Sequence, residues 1–255
     1  MRLARIFKKS ASRAAKIPRS KRVFAVGDVH GRDDLLVELL AQIEADIAQE
    51  TPRSAVLVFL GDLIDRGPDS REVIERLRTL QLPMTRMVFL AGNHEEALLR
   101  ILEGDSRYAL DWLRFGGRQC IESYGFDAAA VAAMSPRDAG RAIRRAIPAE
   151  HGAFLRSFGD TLSIGDYLFV HAGIRPGVPL ARQDQADLRW IREPFLDDER
   201  DHGFVVVHGH TISDGVIETH NRIGIDTGAY ATGRLTALGL EGDKRWLIET
   251  TGSPG

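Results

Sequence analysis

Three short segments place acidic and imidazole side chains directly behind a glycine. Asp28-Val29-His30 stands between Gly27 and Gly31. Gly61-Asp62-Leu63-Ile64-Asp65-Arg66-Gly67 gathers two carboxylates and one guanidinium in one loop. Gly92-Asn93-His94-Glu95 adds an amide and a second imidazole. Taken singly, each segment has an ordinary reading. Asp-x-His occurs in surface turns, and Asp65 with Arg66 fits a structural salt bridge. A glycine-acid turn is also a plain device for a sharp strand exit. Together, however, they supply the mixed nitrogen and oxygen donors that divalent transition metals accept. Carboxylates crowded at strand ends are costly unless paired or metal-bound, and one arginine cannot neutralise them all.

The elements around these segments show why they would meet. Val23–Val26, Ala55–Leu60 and Met87–Ala91 are apolar, β-branched runs that each end at one of the glycines, so each reads as a buried strand entering a turn. Between them, Asp33–Gln49 and Ser70–Leu80 carry Leu, Ile and Val at three- and four-residue intervals, a helical period. This βαβαβ order predicts a parallel sheet with right-handed crossovers and a ligand site beyond the carboxyl ends of its strands. Asp28, His30, Asp62, Asn93 and His94 would converge there from separate strands. Residues from about 96 to 158 are rich in Ala, Arg and Leu without a convincing strand, and read as a helical insertion or cap. Beyond it, Thr161–Ile164, Tyr167–Val170, Phe204–Val207, Ile223–Ile225, Leu235–Leu240 and Arg245–Ile248 form a strand-rich half that implies a second sheet.

Bulk properties narrow the class. A chain of 255 residues with 44% hydrophobic composition can bury a single large core, and residues 23–255 are expected to form one domain. No apolar run approaches the ~20 residues of a membrane-spanning helix. Residues 1–22 hold nine Lys or Arg and no acid, but lack the apolar stretch of an export signal. They read as a flexible basic tail. The net charge of −2 therefore conceals an acidic body, which argues against a large nucleic-acid face and against a stable nucleic-acid partner. The lone Cys120 excludes an internal disulfide and a thiolate metal cluster, and a reducing cytoplasm is the simplest compartment. No pattern in the chain specifies an oligomeric state.

The series GDVHG, GDLIDRG and GNHE resembles the calcineurin-like metallophosphoesterases, and its Asp-Arg-Gly ending resembles their phosphoprotein phosphatase branch. That branch includes bacterial and phage serine/threonine phosphatases and symmetrical diadenosine tetraphosphatases. The likeness continues at Val170-His171-Ala-Gly-Ile174, at Val207-His208-Gly-His210-Thr211 and at Ile225-Asp226-Thr-Gly-Ala229. It implies an α/β four-layer sandwich of two mixed sheets flanked by helices. It further implies that Asp28, His30 and Asp62 hold one cation, and that Asp62, Asn93, His171 and His210 hold another. The cofactors would be two divalent transition-metal ions, with Mn preferred and Fe, Zn or Ni acceptable. Hydroxide supplied by a water shared between the cations would attack phosphorus directly. By the same likeness His94 is the general acid, Asp65 orients it, and Arg66 with Arg192 or Arg189 grips the phosphoryl oxygens, Arg192 being preferred. His208 competes with His210, and the likeness falls on the histidine before threonine. Tyr230 could overhang the site or pack as a lid, while Trp112, Trp190 and Trp246 read mainly as packing residues.

Three functions remain in play. A serine/threonine protein phosphatase is favoured, partly because the chain ends soon after its last strands. A symmetrical dinucleoside tetraphosphatase or an RNA-cap pyrophosphohydrolase keeps the chemistry and changes the substrate. A non-catalytic phosphate-binding module should lack a ligand or the general acid, and neither is missing. The substrate would thus be a phosphoprotein or a dinucleoside polyphosphate.

Overall fold

A computed structural model describes residues 15–48 and 54–253. In chain order its elements are β1 (Lys21–Val26), α1 (Asp33–Ala48), β2 (Ser54–Phe59), α2 (Ser70–Thr79), β3 (Thr85–Phe89) and α3 (Asn93–Leu102). The short helices α4 (Ala109–Trp112), α5 (Arg118–Ser123), α6 (Ala128–Ala132), α7 (Pro136–Ala146) and α8 (Ala149–Arg156) follow. Then come β4 (Thr161–Ile164), β5 (Tyr167–Val170), α9 (Gln185–Trp190), β6 (Val205–His208), β7 (Ile217–Glu218), β8 (Arg222–Gly224), α10 (Ala229–Thr232), β9 (Thr236–Glu241) and β10 (Lys244–Glu249).

The strands form two five-stranded mixed sheets, ordered β10-β9-β1-β2-β3 and β4-β5-β6-β8-β7. Side-chain alternation explains how they stack. In β1, Phe24 and Val26 face a core shared with the helices, whereas Val23 and Ala25 face the other sheet. In β5, Tyr167 and Phe169 face the first sheet, whereas Leu168 and Val170 turn outward to Leu188, Ile191 and Phe195. The two inner faces make one apolar layer, and α9 with extended chain forms the thin outer layer of the second sheet. This is the two-sheet α/β sandwich that the motif series implied.

Two expectations need correction. β9 and β10 do not join the second sheet; β9 pairs antiparallel with β1, which adds an antiparallel pair to the parallel β1-β2-β3 and makes the first sheet mixed, as the resemblance implied. The unbroken burial of Thr236–Leu240 in β9 suits either sheet, so only the tertiary pairing distinguishes the two. The basic segment is also not a mobile arm throughout. Ile17 is 2% exposed and seals the inter-sheet layer. Its N–H donates to Gly242 O at 2.8 Å, and Lys16 O accepts the N–H of Asp166 at 2.9 Å. Residues 1–14 of that segment lie outside the described residues.

The insertion shares the main core. Leu98, Ile101, Trp112, Leu113, Ile121, Ile143 and Leu155 join the cluster built on α1, α2 and the outer face of β1 and β2. Phe59, Phe89 and Phe158 stack in series, with ring centres 5.1 and 5.3 Å apart.

Candidate metal and active site

The turns after β1, β2, β3, β5 and β6 meet at one end of the sandwich. Their backbone is strained there: His30 (φ 47°), Asp62 (49°), Asp65 (73°), Arg66 (68°) and His210 (63°) all sit in the left-handed region that non-glycine residues avoid. Hydrogen bonds between turns hold these conformations. Asp62 O accepts the N–H groups of Val29 and His30 at 3.1 and 2.9 Å, and His30 O accepts Gly67 N–H at 3.0 Å. Of the glycines bracketing the first motif, only Gly31 has positive φ, at 62°. Gly27 is required instead because a Cβ there would lie 2.5 Å from Ile225 O.

Asp62 is the centre of the constellation. One carboxylate oxygen lies 3.7 Å from His30 Nε2 and 3.9 Å from His94 Nε2; the other lies 3.5 Å from His171 Nε2. Asn93 Oδ1 is 3.1 Å from His171 Nε2. Two donor groups result, His30-Asp62-His94 and Asp62-His171-His210, each with its ligand atoms within 4.8 Å of one another. Asp62 belongs to both. The donor set fits metal ions: His210 Nε2 is buried without a hydrogen-bond partner among the described residues. His30 and His171 place Nδ1 against the carbonyls of Ile64 and Leu60 at 2.8 and 3.0 Å, a contact that suits an Nδ1–H donor and leaves Nε2 as ligand. Space is matched as closely, since a Cβ on Gly92 or Gly209 would come within 2.1 Å of Asp62 Oδ1 or 2.0 Å of Asp28 Oδ1.

Asp28 lies beside these two close groups rather than inside either. The close third member beside His30 and Asp62 is His94, while the Asp28 carboxylate accepts the His210 N–H at 3.1 and 3.2 Å. Burial and the neighbouring Asp226 and Asp62 raise its pKa well above the usual carboxylate range. Repulsion from those acids favours a backbone donor for Asp28, which stays adjacent to both groups.

The surroundings sort the imidazoles by charge. Burial, reinforced by His94, lowers His30 to about 3, and burial with His171 lowers His210 to about 3. Burial lowers His171 too. These are the neutral forms that bind metals. Burial alone would also lower His94, but Asp62 and Asp65 outweigh it and carry it up to about 9. His94 Nδ1–H donates to Asp65 Oδ2 at 2.6 Å. For Asp62 the imidazoles outweigh burial and hold the carboxyl below its ordinary value.

Around this centre, Arg66 donates to Tyr230 OH at 2.6 Å, and the Tyr230 and His30 rings meet edge to face with their centres 5.4 Å apart. Arg192 reaches His210 O at 3.5 Å, whereas Arg189 is engaged by Asp160 at 2.7 Å and Glu96 at 3.6 Å. Arg192 is therefore the less committed cation. His208 packs edge-on against Phe195 at 5.2 Å and joins neither donor group. A cleft of about 860 Å³ opens beside Arg66 and Tyr230 and is also lined by Arg114, Phe115 and Arg118.

Two contributors escape sequence reasoning. Glu95 is fully buried and accepts the N–H groups of Asp62, Leu63 and Gly92 at 2.8, 2.8 and 2.9 Å, tying the second turn to the third. Its position three residues after the cap Gly92 was the available signal. Trp112 donates its indole N–H to Asp65 at 2.8 Å, and nothing in the sequence marks it.

Known proteins share both motif and fold. A symmetrical bis(5'-nucleosyl)-tetraphosphatase of Klebsiella pneumoniae is 43% identical over 84 residues, 33% of this chain and 27% of that protein. A Yersinia pestis protein of the same name matches at 43% over 26% of its length. The aligned part thus spans about a quarter of those relatives. A crystal structure provisionally described as a diadenosine tetraphosphatase superposes with TM-score 0.65 at 22% identity, covering 93% of this chain and 99% of that one. A protein serine/threonine phosphatase from Saccharomyces cerevisiae superposes with TM-score 0.54 at 13% identity, over 93% and 82% of the two chains, so it shares the fold. The calcineurin-like phosphoesterase family matches residues 21–235, from β1 to the start of β9. A match of that extent, over the very strands and turns that build the Asp62 cluster, makes this chain a calcineurin-like phosphoesterase, a metal-dependent hydrolase.

Proposed function

We propose that the chain removes phosphoryl groups from phosphoserine or phosphothreonine in proteins. The observation that carries the hydrolytic part is the His94–Asp65 pair beside a carboxylate shared by two donor groups. His30, with Asp28, would hold one cation against Asp62, and Asn93, His171 and His210 the other. Two divalent ions, Mn²⁺ by preference, would acidify a shared water and neutralise phosphoryl charge. Arg66 and Arg192 carry guanidinium groups suited to paired contacts with the phosphoryl oxygens. His94, charged and aimed by Asp65, donates a proton from Nε2 to the departing oxygen. Tyr230 holds Arg66 in place through its hydroxyl.

The open cleft favours an extended peptide. A second reading, hydrolysis of dinucleoside polyphosphates, is favoured by the names of the tetraphosphatase relatives and by Phe115, 70% exposed on the cleft wall, where a base could stack. Metal-stripped protein should lose hydrolysis of 4-nitrophenyl phosphate and regain it with Mn²⁺; no recovery with any divalent ion overturns the catalytic reading. On metal-loaded protein, a phosphothreonine peptide should be turned over with higher kcat/KM than diadenosine tetraphosphate, and the reverse order selects the second reading.

A further inference from the structure

The helix α4 and the turn that follows it belong to the insertion, yet each touches the candidate reaction centre. Arg66 N–H donates to Gly116 O at 2.9 Å. Trp112, 3% exposed, donates its indole N–H to Asp65 Oδ2 at 2.8 Å, the same oxygen that receives His94 Nδ1–H. Asp65 Oδ1 has no partner among the described residues. The indole thus joins His94 in fixing the rotation of this fully buried carboxylate, beside which the Cys120 thiol also lies. Its own placement is enforced, because a Cβ at Gly117 would fall 2.4 Å from Trp112 Cδ2.

We propose that Trp112 is a positioning residue that acts through Asp65 to keep His94 Nε2 aimed at the leaving oxygen. The inference rests on His94 being the acid. In that step the water oxygen bonds to phosphorus and the bond from phosphorus to the leaving oxygen breaks. The released electron pair takes the proton from His94 Nε2, water's own proton passes to solvent, and solvent reprotonates His94. A strongly basic alkoxide needs that proton; 4-nitrophenolate scarcely does. Misaligning His94 therefore slows alkyl phosphates far more than aryl ones, whereas a general packing defect slows both alike.

The test uses the metal-loaded full chain with phosphothreonine peptide and 4-nitrophenyl phosphate as paired substrates. Trp112→Phe should lower kcat for the peptide relative to the aryl ester by about tenfold, the lower end of what loss of an outer hydrogen-bond partner costs. Adding Trp112→Phe to Asp65→Asn should change that ratio no further. Equal loss on both substrates, or losses that multiply in the double variant, overturn the proposal. If Trp112→Phe does not fold, benzothienylalanine at position 112 keeps the ring volume without the N–H and must give the same shift. His94→Asn separates the two readings. If it slows both substrates equally, the acid assignment itself fails; if it discriminates while the Trp112 variants do not, only the inference about Trp112 fails.

Discussion

At the scale of single residues, what could be read in advance was chemical type. Asp28, His30, Asp62, Asn93 and His94 announced themselves because side chains that bind metals stood behind glycines. Glu95 did not, because its partners are backbone N–H groups in turns that meet only when the sheet has formed. Its removal should be felt in the fold as well as in catalysis. Glu95→Gln keeps one oxygen for the Asp62 and Gly92 N–H groups that Oε2 now serves but sets an amide NH2 against the Leu63 N–H, and a buried N–H left unpaired costs about 1–3 kcal/mol. Urea unfolding of the metal-loaded variant should show a loss of about 1–3 kcal/mol from that one donor; unchanged stability would show that the carboxylate is dispensable to the turns. Cys120 belongs to this scale too. Burial raises its thiol pKa well above the ordinary value, and its side chain is fully enclosed. It should resist a thiol-specific reagent in the native protein and react on unfolding, and rapid native labelling would contradict the packing of α5 on α2.

At the scale of elements, the strands were legible because a period of two or an unbroken apolar run leaves little choice, and the helical character of the insertion was legible from composition. What composition could not convey is that the insertion reaches back into the site. The backbone bends between α4 and α5, where Gly116 has φ 122° and lies against Arg66. β7 went unread because it is two residues long and exposed. Gly116→Ala probes the bend. The added Cβ would stand 2.7 Å from Arg66 Cγ in a backbone region L-residues rarely adopt. Arg66 must then move, and displacement of a positioning group by about 1 Å can cost on the order of 100-fold in rate. We expect kcat/KM on 4-nitrophenyl phosphate to fall at least about tenfold while bound metal is retained. Full activity would show that Arg66 does not depend on the insertion.

At the scale of the whole molecule, the candidate ligand set is divided between two sheets, as the order of strands and motifs in the sequence implied. Asp28, His30, Asp62 and Asn93 follow strands of the first sheet, whereas His171 and His210 follow strands of the second. Neither sheet holds a complete set, and Asp62 touches both groups. The same end of the sandwich buries Asp28, Asp62, Asp65, Glu95 and Asp226 together, an excess of acid that cations would relieve. Metal binding must therefore stabilise the packing of one sheet on the other, not merely order a loop. An ion present at about 1,000 times its Kd adds ~4 kcal/mol to the folded state. For a domain of this size that corresponds to a Tm lower by roughly 10 °C after chelation. Because the two sheets share one apolar layer, far-UV circular dichroism should be lost and Cys120 become exposed in a single transition with or without metal. A chelator that leaves Tm unchanged, or that loosens only one of the two probes, would mean that the ions do not bridge the sheets.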